Sequence, residues 1–138
     1  MAHGARLGSA VMFVRQLDRS VSFYQEVLAL GVTDRSPSAA LLTGADGSQL
    51  ILRAMGGNAA HALGSVGVQY VIWTAAGEDD LNRCELALRE RSAHRETRTD
   101  GAVSVVEGRD PDDIVVMITY PGPEQLPLQQ LPARIYGW

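Results

Sequence analysis

The stretch that decides the fold is Leu-Asp-Arg-Ser-Val-Ser-Phe-Tyr-Gln-Glu-Val-Leu-Ala-Leu, residues 17–30. Its apolar residues recur at the spacing of one helix face, at Val21, Tyr24, Val27 and Leu28. Asp18 is expected to cap the helix, since its carboxylate can accept a backbone N–H of the first turn. Gly31 is expected to provide the left-handed stop. The apolar run 10–14 precedes the helix, so the stretch predicts a strand followed by a helix that covers a sheet.

The same order of elements recurs in the second half of the chain. Residues 66–74 predict a second apolar strand, and residues 78–92 predict a second helix with acidic residues in its first turn. Short β-like runs follow each helix. The sequence therefore predicts an α+β protein made of two βαβββ modules, divided into a first module (1–53), a linker (54–65), a second module (66–120) and a proline-rich C-terminal arm (121–138). The arm is expected to pack on its own domain or on a second subunit.

Composition limits the classes of function. The chain of 138 residues has a net charge of −4, which argues against a general electrostatic footprint for nucleic acid. No apolar run approaches the ~20 residues that span a bilayer, and residues 1–9 lack the apolar region of a signal peptide. Cys84 is the only cysteine, so a reducing, cytoplasmic location is expected. We expect this thiol on the buried stripe of the second helix, in a structural role.

Three motifs in this sequence resemble the vicinal oxygen chelate superfamily, which includes glyoxalase I, bleomycin-resistance proteins and extradiol dioxygenases. They are Leu-Asp-Arg-Ser-Val-Ser-Phe-Tyr (17–24), Val-Leu-Ala-Leu-Gly (27–31) and Asp-Pro-Asp-Asp (110–113). The resemblance covers roughly residues 8–120 at the level of element order. It implies an eight-stranded, cup-shaped mixed sheet with helices outside, and a homodimer.

The resemblance also implies a divalent metal held inside the cup by the first and last strands of each half. Counting from the motifs places the four ligand positions at Ser9, Ile51, Gln69 and Met117. None of these residues supplies the imidazole, carboxylate or thiolate that such a metal prefers. We therefore predict that the protein has no metal cofactor.

The remaining candidate ligands are expected to lie elsewhere. His3 falls in the loose N-terminus, His61 in the linker, and His94 at the start of a strand. Their spacing matches no metal motif. Glu107 and Asp110 flank a predicted turn, so they are expected to be solvated turn residues.

Strand alternation predicts which side chains line the cup. If the four counted positions face inward, then so do Val11, Val71, Val115 and other residues two positions away. Trp73 is then expected to stack on an aromatic ring, Arg53 to hold a carboxylate or phenolate, and the glutamines to orient a carbonyl or amide. The alternative is a cup filled by its own side chains. The predicted ligand-binding residues are Ser9, Phe13, Gln49, Ile51, Arg53, Gln69, Trp73, Met117 and Thr119.

Three functional hypotheses follow. The first is a metal-independent binder of a small aromatic or amphipathic molecule. The second is an enzyme of the same superfamily: either a metal-dependent lyase, isomerase or dioxygenase with ligands at other positions, or a metal-free acid–base enzyme that uses Glu107 if it points inward. The third is a non-catalytic partner protein that uses the apolar residues 135–138. A homodimer that binds neither nucleic acid nor membrane is expected in each case.

Overall fold

The structure is a computed structural model and describes residues 4–59 and 66–122. The chain divides into two compact units, Met1–Ala60 and His61–Trp138. Among the described residues, each unit has one helix and one four-stranded mixed sheet, which confirms the predicted α+β class and the two βαβββ modules. The middle of the linker, the arm beyond residue 122, His3 and His61 lie outside the described residues.

The first unit follows the predicted order of elements. Its strands lie in the order β1-β4-β3-β2, with β1 parallel to β4 and the other pairs antiparallel. The elements are β1 (Ser9–Val14), α1 (Leu17–Leu28), β2 (Gly31–Arg35), β3 (Ala39–Thr43) and β4 (Gln49–Ala54).

The start of α1 differs from the prediction by one residue. The N-cap is Gln16, in an extended conformation, and no side chain caps the helix there. Asp18 instead lies within the first turn, where an acidic residue still complements the helix dipole, and forms an exposed ion pair with Arg35. The expected capping role of Asp18 is therefore wrong, because helical geometry begins already at Leu17.

The end of α1 also differs from the prediction. The left-handed residue is Ala29, with φ 56° and ψ 34°. Gly31 already belongs to β2 and pairs with Thr43. The chain therefore reverses two residues earlier than expected, because β2 needs Gly31 as its first residue.

One face of the first sheet carries the core of this unit. The buried residues of α1 include Val21, Tyr24 and Val27, as the helical spacing predicted, whereas Leu28 is only partly buried. The helix lies over β3 and β4, which supply a row of fully buried side chains. These side chains are Ala40, Leu42, Leu50 and Leu52.

The second unit repeats this topology. Its strands lie in the order β5-β8-β7-β6, with β5 parallel to β8 and the other pairs antiparallel. The elements are β5 (Val71–Thr74), α2 (Glu78–Glu90), β6 (His94–Asp100), β7 (Val103–Arg109) and β8 (Val115–Tyr120). Neither described helix has the length and apolar character needed to cross a membrane.

The first strand of this unit is shorter than predicted. Only Val71–Thr74 is a strand, whereas the prediction covered 66–74. Gly67 has φ +138°, and the apolar side chains of Val66 and Val68 are exposed. The apolar run at 66–70 therefore does not pair, because its backbone turns at Gly67 before β5 begins.

Helix α2 packs closely on the second sheet. A Cβ added to Gly108 would lie 2.7 Å from the carbonyl oxygen of Ala93 and 2.8 Å from Cδ2 of Leu88. Gly108 therefore marks the side of β7 that faces α2. Cys84 lies on the buried stripe of the helix, as predicted, and burial raises the pKa of its thiol to about 11. A thiol that remains protonated at neutral pH fits the expected structural role.

Candidate functional site

The candidate site residues lie on the sheet faces that point away from the helices. In the first sheet, paired residues of neighbouring strands share a face, and three rows alternate with the leucines buried under α1. We call this surface the first far face. Its rows are Ser9–Gln49–Thr43, Val11–Ile51–Leu41 and Phe13–Arg53–Ala39.

The first far face combines exposed apolar and polar side chains. Val11 is 62% exposed and Phe13 is 60% exposed, although both lie inside a regular strand. Arg53, beside Phe13, is exposed and forms no ion pair within residues 4–59 and 66–122. Gln49 is also exposed. This face therefore presents an aromatic ring, an exposed guanidinium and an amide on neighbouring strands.

The second far face is identified by the same argument. Gly108 points toward α2 and pairs with Val116, so the alternate residues of β7 and β8 point away from the helix. The rows of this second far face are Thr74–Thr119–Val105–Arg98 and Ile72–Met117–Glu107–Glu96, with Val115 paired to Arg109 beyond them.

In contrast to the first far face, the second is buried at its centre, along β7 and β8. Val103, Val105, Val115 and Met117 form one apolar cluster, against which Tyr70 and Ile72 pack. Among the polar residues of this face, Glu107 at 4% exposure and Thr119 at 0% are buried. A buried carboxylate in apolar surroundings is costly unless it is paired, so its contacts decide its role.

Glu107 has an incomplete set of partners. Its Oε1 lies 3.7 Å from Nη1 of Arg98, and the same nitrogen lies 3.4 Å from Oε2 of Glu96. Within the described part of the chain, Glu107 Oε1 accepts no hydrogen bond, and Thr119 Oγ1 also has no hydrogen-bond partner. The described residues therefore leave both acceptor oxygens unused, and the buried Nε of Arg109 on the same face also has no hydrogen-bond partner among them.

The prediction that Glu107 and Asp110 are solvated turn residues is wrong. Strand β7 extends to Arg109, so Glu107 lies inside the sheet. Its side chain points away from α2, which is the orientation that the acid–base hypothesis requires. Asp110 is also buried. Its Oδ1 accepts hydrogen bonds from the backbone N–H groups of Asp112 at 2.8 Å and Ile114 at 2.9 Å, which compensate for the loss of water. Asp110 thus stabilises the turn before β8.

Seven of the nine predicted binding residues lie on the two far faces. Five of them are together on the first far face, and Met117 and Thr119 are on the second. Whether they bind a ligand stays a prediction. The five on the first far face are Ser9, Phe13, Gln49, Ile51 and Arg53.

Trp73 and Gln69 do not lie with the other predicted residues. Trp73 pairs with Ile118, which places it on the α2 side of the sheet and away from Met117. Gln69 precedes β5, and its Nε2 donates to the carbonyl oxygen of Gly67 at 2.9 Å. The expected placement of Trp73 on the far face is wrong, because β5 meets β8 one residue out of the counted register, which turns Ile72 and Thr74 to that face instead. The expected placement of Gln69 in the strand is wrong because β5 begins at Val71. Whether either residue binds a ligand stays a prediction.

The four counted metal positions do not fit a divalent ion. Ser9 is exposed, Gln69 is partly buried, and Ile51 and Met117 carry no strong donor. Within residues 4–59 and 66–122, no group of three His, Cys, Asp or Glu side chains could hold a metal. The donor set therefore supports no step through a metal, and the absence of a cofactor stays a prediction.

His94 begins β6, as the sequence predicted, and lies outside both far faces. Its Nε2 is 2.6 Å from Thr97 Oγ1, and Thr97 donates to a carboxylate oxygen of Glu85 on α2. Burial lowers the pKa of His94. Its hydrogen bonds connect β6 to α2, which is a structural role.

The sequence of β7 carries a signal for the buried position of Glu107, which the predicted turn overlooked. Val103, Val105 and Glu107 are two residues apart, so a strand through all three places them on one face. A carboxylate at the end of such an apolar row predicts a buried charge. Because the strand was expected to end at Glu107, this residue was assigned to the edge of a turn instead of to the face of the sheet.

Comparisons with known proteins agree with this fold. The sequence profile described as Glyoxalase/Bleomycin resistance protein/Dioxygenase superfamily matches residues 6–118, which confirms the resemblance. No curated protein matches the chain.

Similar solved structures share the fold at low sequence identity. A glyoxylase/bleomycin resistance protein/dioxygenase domain from Frankia sp. EAN1pec is 21% identical, with 86% of this chain and 92% of that one covered and a TM-score of 0.73. Lactoylglutathione lyase from Agrobacterium tumefaciens is 15% identical, with coverages of 84% and 93% and a TM-score of 0.65. Fosfomycin resistance protein FosX from Mesorhizobium loti is 12% identical, with coverages of 86% and 92% and a TM-score of 0.63.

Proposed function

The chain belongs to the Glyoxalase/Bleomycin resistance protein/Dioxygenase superfamily, and we propose that it binds a small aromatic, anionic molecule on its first far face. Proteins of similar structure are named for small molecules, lactoylglutathione in one case and fosfomycin in another. Their low identity supports the fold alone, so the choice of ligand depends on the residues of this chain.

The observation that carries the proposal is the pair formed by Phe13 and Arg53. These residues lie opposite each other on adjacent strands, which are about 4.8 Å apart in a sheet. Phe13 is 60% exposed, which makes its ring available for stacking. Arg53 has no ion pair within the described residues, so its guanidinium can bind a carboxylate through two parallel hydrogen bonds. Together they match a planar ring that carries an acidic group.

The neighbouring rows extend this surface. Val11 and Ile51 lie two residues along their strands from Phe13 and Arg53, a distance of about 7 Å. They provide an apolar surface for the remainder of a bicyclic ring. Gln49 and Ser9 follow in the next row and can donate hydrogen bonds to a polar substituent. The arrangement supports a ligand about the size of a substituted naphthalene.

The test uses 1-naphthylacetate as the probe and isothermal titration calorimetry as the measurement. We expect saturable binding at one site per chain and at least a tenfold loss of affinity in Arg53→Gln. The matched control is Arg19→Gln, which removes an exposed charge from α1 and should leave affinity within threefold. The proposal is overturned if the wild-type chain does not bind the probe, or if both variants bind it equally.

The prediction of no metal cofactor has its own experiment. Elemental analysis of protein purified without an affinity tag should find less than 0.1 equivalent of Fe, Mn, Ni or Zn. One equivalent of any of them would instead support the metal-dependent enzyme hypothesis.

We also propose that the protein is a homodimer, as the resemblance implies. Sedimentation velocity should give twice the mass of one chain. A monomer at micromolar concentration would contradict this proposal without affecting the ligand test.

A further inference from the structure

The middle row of the first far face ends at an acidic residue on β2. Asp34 pairs with Leu41, so it extends the row Val11–Ile51–Leu41 by one strand. The position of Arg35 agrees with this orientation, because its guanidinium binds the carboxylate of Asp18 on α1 and therefore lies on the helix side of the sheet. Side chains of successive strand residues point to opposite faces, so Asp34 points to the far face, where it is exposed.

Arg53 and Asp34 are the charged side chains that the four described strands place on this face. The strands carry one further charged residue, Arg35, which lies on the helix side. Asp34 Oδ1 accepts the backbone N–H of Arg35 at 2.8 Å. Neither Arg53 nor Asp34 forms an ion pair with another residue in the ranges 4–59 and 66–122. Both charges are therefore exposed to a molecule that lies on the face.

The charged residues that flank the strands have contacts of their own. Arg15 follows β1, and its Nε donates to the carbonyl oxygen of Ala59 at 3.0 Å. Asp46 lies in the turn between β3 and β4, where its Oδ1 accepts hydrogen bonds from the hydroxyl of Ser48 at 2.6 Å and from its backbone N–H at 3.0 Å. These hydrogen bonds, with a smaller contribution from the charge of Arg6, lower the pKa of Asp46. The charges beside the middle row are thus those of Arg53 and Asp34.

Apolar side chains separate the two charges. Arg53 and Asp34 lie two strands and two residues apart, which places their Cα atoms roughly 12 Å from each other. Ile51 and Leu41 lie between them and are partly buried. An aromatic ring that lies on Ile51 and Leu41 has the guanidinium at one side and the carboxylate of Asp34 at the end of its row. The face therefore matches a ring with groups of opposite charge on opposite sides.

We infer that the molecule bound on the first far face carries a cationic substituent in addition to its acidic group, and that Asp34 determines this preference. The inference rests on the proposed function, because the ring and the acidic group are those assigned to Phe13 and Arg53. An ammonium group donates to Oδ2 of Asp34 while the carboxylate of the same molecule binds Arg53. The expected ligand class is an aromatic acid with an amine on the other side of its ring.

The exposure of Asp34 limits the size of the expected effect. Ion pairs between exposed groups are weak, and salt screens them. We therefore expect an ammonium substituent to improve affinity about three- to fivefold over a neutral one at low salt, and this advantage to disappear in about 1 M NaCl. Stacking and apolar contact are not screened, so the binding of the ring itself should persist at high salt.

The test compares 5-(aminomethyl)-1-naphthylacetate with 5-(hydroxymethyl)-1-naphthylacetate by calorimetry on the full chain at pH 7. At about 0.01 M ionic strength, where the Debye length is about 30 Å, the wild-type chain should bind the amine about three to five times more tightly. In Asp34→Asn, which keeps the acceptor for the backbone N–H of Arg35, the two affinities should become equal. The matched control is Glu26→Gln, which removes an exposed carboxylate from α1 and should preserve the preference.

A change of sign distinguishes the role of Asp34 from a general loss of binding. Asp34→Asn should weaken binding of the amine but leave 1-naphthylacetate binding unchanged or up to about twofold tighter, because a like charge near the ligand carboxylate is removed. Equal affinity of the wild-type chain for both substituted probes, or a preference that survives in Asp34→Asn, would overturn the inference. Binding of 1-naphthylacetate without a preference for the amine overturns this inference alone. No binding of 1-naphthylacetate overturns the proposed function and this inference with it.

Discussion

The far faces of the two sheets occupy corresponding positions in a repeated topology, yet they differ in burial and chemistry. Phe13 lies four residues before the first residue of α1, and Thr74 lies four residues before the first residue of α2. Matching strand by strand from these two positions aligns the rows of the two faces. The middle row is Val11–Ile51–Leu41 in the first unit and Ile72–Met117–Glu107 in the second.

The alignment shows that corresponding positions of the two sheets differ in burial and in side-chain chemistry. Ile51 and Met117 occupy corresponding positions, but Ile51 is only partly buried and Met117 is fully buried. Leu41 corresponds to Glu107, so an apolar side chain in one module is replaced by a buried carboxylate in the other. Topology therefore fixes where a side chain points, while residue identity decides what chemistry is presented there.

The largest expected effect comes from truncating the corresponding residues of the middle rows. Met117→Ala should lower the free energy of unfolding by about 2–5 kcal/mol, because it leaves a cavity in a buried cluster. Ile51→Ala should cost about 1 kcal/mol or less, since that side chain is partly exposed. Urea unfolding of both variants measures the difference. Equal losses would show that the two faces are equally buried in solution.

The next largest effect concerns the helix side of the sheets. Gly108→Ala should cost about 1–3 kcal/mol, because the added Cβ would meet the carbonyl of Ala93 and the side chain of Leu88. Gly31→Ala is the control in the first unit, where the nearest atom is the carbonyl oxygen of Thr43 at 4.0 Å. Thermal unfolding should separate the two. An unchanged midpoint for Gly108→Ala would contradict the close approach of α2.

A smaller effect, of opposite sign, is expected when the second far face is given the chemistry of the first. Glu107→Leu introduces the residue found at the corresponding position, Leu41. Removal of a buried acceptor that lacks a hydrogen bond should raise the free energy of unfolding by about 1 kcal/mol, since Arg98 retains Glu96 as a partner. Chemical denaturation measures this change. A loss of stability would show that the Arg98–Glu107 pair stabilises the fold.

The smallest effect on stability is expected on the first far face. Phe13→Ser should change the free energy of unfolding by less than about 0.5 kcal/mol, because the ring is 60% exposed. The same variant should weaken 1-naphthylacetate binding at least fivefold through loss of stacking. Denaturation and calorimetry on one preparation test both statements. A large loss of stability would place Phe13 in a core and argue against its role in binding.

Much of the fold could be predicted from local patterns. Helical spacing between residues 17 and 30 located α1, and the short β-like runs expected after each helix correspond to β2–β4 and β6–β8. The repetition of element order predicted the second module. Apolar periodicity succeeds here because each helix must bury one stripe on its own sheet, which is a local requirement.

The candidate site was predicted less completely. Alternation along β1 and β4 placed five residues on one face, because both strands are regular and in register. The same counting failed for Trp73, since a single-residue error in the register of β5 exchanges the two faces of a strand. No local pattern near Gln69 indicates where pairing begins.

The sequence by itself therefore determined the family, the two modules, the helix stripes and the five residues of the first far face. The tertiary structure decided which residues of β5 face away from α2, and that Glu107 is a buried strand residue rather than a solvated one. The physical reason is that strand pairing and burial depend on backbone hydrogen bonds to distant residues, such as those between β7 and β8. Local composition cannot specify where these ladders begin and end.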